Sequence, residues 1–403
     1  MIKYIETYYP KEKYLGRLGD FKLMKAYTLA DIDFNESFWM YYEFMERANL
    51  QQSDLLPKDQ LVKFNEKIGS PYHVGVGLRY IEHYIGKESL DKALREYLNQ
   101  VGKPLSMTDL LKKHSPKNID WFKGLYLKDR MPTDIKIKGI KRNKDSIVVN
   151  LTKYSDNNIP FVLSQVKDDI ILEQQWIENM GTASAVTLNN LNPDYIAINP
   201  EIRLPETDKN NNWRYVKNFL NLKPIQFNFL RDYQSPKRNQ VYYNPVVNYN
   251  FYDGLSPGSR FYNKGLLIQK FTFELMPQYS SLQNDLVGRV KMSYRLNNIG
   301  KSNYMTSFNF FASSYHYLEN LRYQVITPGI NLFFRTPDFR SNKRSALSLY
   351  YYSVKRDSPP DPVTTPNYEL FYLRYTNSNR GALKYSSFNT GIQLSKKITK
   401  IET

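Results

Sequence analysis

From Asn35 to about Tyr126 the apolar residues recur every three or four positions, the period of an α-helix. Phe38, Tyr41, Tyr42 and Met45 share one face behind a candidate cap at Ser37. Val74, Leu78, Ile81 and Ile85 share another, which Gly86 closes. Ser89 is expected to cap the next helix, whose Leu90, Ala93, Leu94, Tyr97, Leu98 and Val101 form a core-facing stripe. Ser106 with Asp109 reads as a capping box, because the hydroxyl and the carboxylate can satisfy the amides at a helix start. The pattern predicts an all-helical lobe.

At Pro132 the period shortens. Ile135–Ile140, Ser146–Leu151, Phe161–Val166, Ile170–Trp176, Ala185–Leu188 and Tyr195–Ile198 are β-rich runs separated by Asn, Asp, Lys and Gly, the spacing of a small β-sandwich. Pro205–Asn212 is polar enough to predict a linker. Trp213, Phe219 and Leu220 predict a short helix beyond it.

From Gln240 the chain alternates with period two. Val241, Tyr243, Pro245, Val247, Tyr249 and Phe251 fall on one face of a strand, and Tyr242, Asn244, Val246, Asn248, Asn250 and Tyr252 on the other. The alternation returns in Phe271, Phe273 and Leu275, and in Val290, Met292 and Tyr294. Longer runs come next at Tyr304–Ser313, Leu321–Phe334, Ser345–Val354, Tyr368–Thr376 and Leu383–Leu394. A soluble sandwich shares this period. Strands of roughly ten residues with aromatic ends, and with Arg289, Lys291, Arg295 and Arg374 opposite the apolar face, favour a membrane β-barrel with a wet lumen.

Composition removes several alternatives. Among 403 residues, 56 Lys and Arg against 39 Asp and Glu give a net charge of +17. The basic residues are scattered among Tyr, Asn and Ser with no helix-turn-helix or zinc-finger spacing, so no nucleic-acid partner is expected. The chain has no cysteine, which excludes disulfides and thiolate metal sites. Met1–Tyr14 lacks the apolar core of a signal peptide, and no apolar run reaches the length of a spanning helix. His73, His83, His114 and His316 do not form the two-histidine, one-turn pair of a zincin.

The segment Ser70-Pro71-Tyr72-His73-Val74-Gly75-Val76-Gly77-Leu78, running to Gly86, resembles the stretch of aminopeptidase N-like gluzincins that carries the catalytic tyrosine, with Glu88–Tyr97 similar to the family's next helix. Met1–Glu6 resembles the continuation of the helix bearing the family's third zinc ligand. The resemblance covers roughly residues 1–130, and the remainder of the chain is similar to the extensions of a membrane-anchored bacterial subgroup. It implies a zinc metallopeptidase acting on peptides, in which zinc activates water, a glutamate removes its proton and a tyrosine stabilises the oxyanion. Only Tyr72 would be here. Without the family, Tyr72 reads as a packing residue; His73 reads as a packing or surface residue, and Glu6 alone makes no metal site.

The expected fold is therefore α+β and multidomain: residues 1–131 a helical part of a peptidase domain, 132–204 a β-sandwich, 205–239 a linker with a short helix, and 240–403 a partial, open antiparallel outer-membrane-type barrel. The expected function is a fragment of a membrane-anchored peptidase, inactive alone and holding no zinc; the alternative is a non-catalytic barrel with a periplasmic scaffold. Outer-membrane lipid is the expected surround, with the soluble domains periplasmic and Ser358–Pro366 an extracellular loop. About nine strands, an odd number, and the ending Lys400-Ile401-Glu402-Thr403 predict unpaired edges and truncation at both ends.

Overall fold

The computed structural model describes residues 2–6, 22, 26–31, 43–102, 105–129, 133–153, 158–201, 204, 206, 208–298, 300–357, 367–381, 383–395 and 399–402. The expected cap at Ser37, the helix face at Phe38–Tyr42, Pro132 and the loop Ser358–Pro366 lie outside them. The chain divides into two units, Met1–Gln226 with Gln234–Asn239, and Phe227–Tyr233 with Gln240–Thr403. β-Strands dominate, with a few helices in the first unit.

In the first unit the helical period produces helices at Ser70–Ile85, Lys87–Leu98 and Met107–His114. Gly86 ends one helix and begins the next, because its positive φ of 90° reverses the chain within a single residue. Ser89 therefore sits inside the first turn of the second helix, a correction to its expected capping role. Ser106 does cap: its hydroxyl accepts from the Asp109 amide at 3.2 Å and donates to the Asp109 carboxylate at 2.6 Å. The apolar stripes meet in one core containing Tyr80, Ile81, Leu90, Leu110, Leu111 and Phe122, but Tyr97, Leu98 and Val101, expected to face it, are exposed. Each such large side chain stabilises the fold by roughly 1.5–3 kcal/mol when fully buried.

The β-rich runs form β1 (Ile135–Arg142), β2 (Ser146–Lys153), β3 (Phe161–Lys167), β4 (Ile170–Ile177), β5 (Ala183–Asn189) and β6 (Tyr195–Ile198). β7 (Trp213–Tyr215) is found where a short helix was expected: Trp213 pairs with Ala197, while Phe219 and Leu220 lie exposed in a turn. Two sheets, β1-β2-β5 and β4-β3-β6-β7, enclose a core of Ile135, Ile147, Leu151, Phe161, Leu163 and Ile196. β3 is buried on both faces, since Val162 turns the other way and packs into the helical core.

The polar stretch before Trp213 is not a solvated linker. Glu206 is 1% exposed and bridges to Thr133; its carboxylate accepts from the Ile135 amide at 3.5 Å and Asn199 at 3.4 Å. Asn211 donates to Asp134 at 2.6 Å, and Lys209–Asn212 form a turn of 3-10 helix. Polar residues are compatible with burial when hydrogen bonds replace water, and composition does not distinguish the two states.

The second unit is built on one sheet: β8 (Ile225–Phe229), β9 (Asn239–Asn250), β10 (Gly254–Tyr262), β11 (Phe271–Ser280), β12 (Asp285–Asn297), β13 (Asn303–Leu318), β14 (Leu321–Arg335), β15 (Lys343–Arg356), β16 (Tyr368–Arg380), β17 (Tyr385–Ser395) and β18 (Thr399–Glu402). From β9 onward each strand pairs antiparallel with the next. β8 and β18 are the two edges, so the sheet is open and not closed into a barrel among the described residues. The sheet curls nonetheless. Asp253, in the β9–β10 turn, accepts from His316 of β13 at 2.6 Å, and Asn250 donates to the His316 carbonyl at 3.2 Å. β10 was hidden in the sequence because Gly254-Leu255-Ser256-Pro257-Gly258-Ser259 carries turn residues rather than alternating apolar ones.

Candidate functional site

Two glycines set the neighbourhood of Tyr72. A Cβ on Gly75 would lie 2.8 Å from the Lys3 backbone, and one on Gly77 would lie 2.4 Å from the Tyr126 ring. The helix Ser70–Ile85 therefore lets the helix Ile2–Glu6 approach one face and the π-helix Phe122–Asp129 another. Helical backbone runs without a break from the π-turn Asn65–Gly69 into Ser70, so Tyr72 lies beyond an irregular turn rather than at a free helix start.

Tyr72 is half-buried. The Lys3 ammonium donates to its phenol oxygen at 2.9 Å and sits 4.5 Å from its ring centroid, a charge-assisted hydrogen bond together with a cation–π contact. The positive charge polarises the phenol O–H, which suits the pair to stabilising negative charge. The sequence holds no local signal for Lys3 as the partner of a residue 69 positions away.

His73 turns inward. It is 3% exposed, its Nδ1 is paired with Asp54, and its ring stacks on Tyr126 at 4.1 Å with planes 7° apart. The Tyr126 hydroxyl donates to the His73 carbonyl at 2.9 Å. His73 is thus a packing residue with a buried carboxylate partner, and that partner, Asp54, went unread in the sequence. Glu82 accepts from Arg79 at 2.9 Å and from Tyr4 at 3.1 Å, while His83 is exposed. His114 pairs with Glu96 at 2.6 Å, and His316 with Asp253.

These residues do not fit zinc. A catalytic zinc site needs three protein ligands, and no three His, Cys, Asp or Glu side chains among the described residues form such a group. Among the described residues, His73, His114 and His316 meet the carboxylates of Asp54, Glu96 and Asp253 without being gathered with a third such ligand. Glu6 has its helix described but not its side chain.

The second unit presents a different geometry, in two faces. Through the strand pairings Phe271, Tyr294, Phe308, Ile330, Leu349, Leu373 and Ile392 form one continuous row across β11–β17. Each is 39–46% exposed. With side chains of this size the row alone exposes apolar area on the order of 500 Å². One residue along, Arg295, Ser307, Asn331, Ser348, Arg374 and Gly391 form a polar row on the opposite, concave face. Arg260 and Arg289 share Glu274 on the same side. Arg289, Lys291, Arg295 and Arg374 thus lie opposite the apolar face, as their alternation predicts.

No known protein family matches the chain, and no curated protein matches it.

Proposed function

We propose that the second unit is a membrane-inserted, outer-membrane-type β-sheet and that the first unit is the peptidase-type lobe it anchors. The observation that carries the anchor is the exposed apolar row on the convex face with a charged and polar row behind it. A soluble sheet hides its apolar face, whereas a sheet in lipid turns that face outward and keeps polar side chains toward water. Strands of ten to sixteen residues in β11–β17 match or exceed the nine to eleven a tilted strand needs to cross a bilayer. The lobe precedes the long strands and is assigned to the periplasmic side.

The resemblance to gluzincin aminopeptidases gives the lobe its chemistry: Tyr72, polarised by Lys3, is the donor that steadies a tetrahedral oxyanion formed from a peptide bond. The three-ligand donor set that zinc requires is missing from the described residues. The chain is catalytically silent by itself in this reading. A second reading, a non-catalytic barrel with a scaffold lobe, is favoured by the burial of His73 against Asp54.

The anchor is tested by adding the unfolded chain to phospholipid vesicles and following flotation and strand formation. Acquisition of the sheet without lipid, in a monomer free in solution, would overturn it. The lobe is tested by metal analysis and aminoacyl-anilide hydrolysis. Silence is expected from the chain alone; with a zinc-binding peptidase segment supplied in trans, turnover should appear and fall about 10²–10³-fold on Tyr72→Phe. One tightly held zinc per purified chain would sink the assignment.

A further inference from the structure

The apolar face is not smooth. Toward one end of β11–β14 a groove of about 490 Å³ interrupts it. Its floor is made by small residues, Gly288, Ala312 and Ser314, and its walls by Leu275, Leu286 and Ile326. Gly288 is required there. Its φ is 145°, and a Cβ would lie 2.1 Å from the Met276 carbonyl oxygen of the neighbouring strand. Ala312 faces Val290 and Ile326 across the ladder, Ser314 faces Gly288, and the missing side-chain volume leaves a trough four strands wide.

Charged groups stand at the strand-end rim of this trough. Arg322 donates to the Ser314 hydroxyl at 3.1 Å and to the Leu286 carbonyl at 3.1 Å, and is paired with Asp285. Its backbone amide donates to Asp357 at 2.9 Å. Asp285 remains 47% exposed. From Arg322 to Ile326 is four residues, about 13 Å along an extended strand, within the roughly 15 Å of one bilayer leaflet. If the trough lies among acyl chains, the ion pair lies at headgroup level.

The geometry points to a specific phospholipid site: one acyl chain in the Gly288–Ala312–Ser314 trough, and a zwitterionic, amine-bearing headgroup on the Arg322–Asp285 pair, phosphate toward the guanidinium and ammonium toward the carboxylate. The choice of headgroup follows from charge complementarity. An anionic lipid would meet Asp285 as well as Arg322, whereas a zwitterion matches both, and only one with a primary ammonium has N–H groups to donate to the Asp285 carboxylate. The site rests on the proposal that this face is in lipid.

The test is native mass spectrometry of the full chain released from nanodiscs of equal phosphatidylethanolamine, phosphatidylglycerol and phosphatidylcholine. One phosphatidylethanolamine should stay bound. Filling the trough with Ala312→Phe, or more gently with Ser314→Leu, should lower the retained fraction about tenfold, equivalent to about 1.4 kcal/mol. Arg322→Gln should keep a bound lipid but erase the headgroup preference. Vesicle flotation of each variant shows that its sheet still inserts. Equal retention by inserted wild type and filled variants overturns the trough, and enrichment of phosphatidylglycerol or phosphatidylcholine overturns the headgroup assignment. Failure of the wild type to insert overturns the membrane reading itself and the lipid site with it.

Discussion

A single buried-charge experiment separates a sheet in lipid from a sheet in water. Leu349 lies six residues from one end of β15 and seven from the other, in the middle of the apolar row, and is 43% exposed. If the row faces hydrocarbon, Leu349→Arg places a guanidinium near the bilayer midplane, at a cost of about 2–4 kcal/mol. Ser353 lies on the same face four residues on, about 13 Å toward the strand end, where the same substitution should cost about 0–1 kcal/mol. If instead the row faces water, both are surface changes worth about 0.5 kcal/mol or less. No tryptophan lies beyond Trp213, so Phe388→Trp in β17 supplies a probe in the second unit, once the signal of Trp39, Trp121, Trp176 and Trp213, measured in the same variant without the probe, is subtracted. Urea unfolding from phospholipid vesicles, read by that fluorescence, yields the difference between the two arginine variants. A gap of at least about 1 kcal/mol is expected, from the depth dependence of the cost. Equal, small effects would refute the lipid-facing assignment of the convex face.

Gly77→Ala should destabilise the first unit by about 1–3 kcal/mol through overpacking on Tyr126 and Phe122, whereas Gly124→Ala, with nothing within 4 Å of its Cβ, should stabilise it by up to about 1 kcal/mol; thermal unfolding distinguishes the two. Burial pushes the Glu206 carboxyl up to about 8, with Asp134 adding to the rise and Asn212, the Ile135 amide and Lys209 opposing it. Because the folded state then holds a proton that the unfolded state releases near 4.5, this group's contribution is fully present below that pH and is lost as pH rises toward 8. Denaturant midpoints of the first unit should fall across that window, and Glu206→Gln should flatten the fall; an unchanged slope would rule the residue out as its source. Lys223, lowered to about 8 by burial, acts oppositely above that pH, recovering stability as the unfolded state alone stays protonated. Cysteines at Asn320 and Ser341, in turns at opposite ends of the sheet, should be labelled from outside intact cells at Asn320 only. Labelling at Ser341 only would turn the sheet over and put the lobe outside.

Period and punctuation in the sequence were enough for the elements whose stability is local or one-sided. The three- and four-residue stripes gave the helices around Ile81, Leu90 and Leu110, and the Ser106–Asp109 pair gave a cap, because both depend on neighbours within one turn. The alternation beyond Gln240 likewise separated an apolar from a polar face, since successive side chains of a strand must point opposite ways. What the alternation left open is which face meets water, and the ladder register decided only that the apolar one is uncovered in this unit. Glu206 and its neighbours looked like linker because polarity is read one residue at a time, while burial depends on partners such as Asn199 and Ile135 that only the fold delivers. β10 escaped because pairing on both sides holds a Gly- and Pro-containing strand that has little propensity of its own. At the candidate site, Tyr72 could be singled out from its motif. Lys3 and Asp54 could not, for a hydrogen bond across 69 residues and a buried histidine–carboxylate contact across 19 are set by how helices pack, and that packing turns on two glycines whose missing side chains matter only when another element is pressed against them.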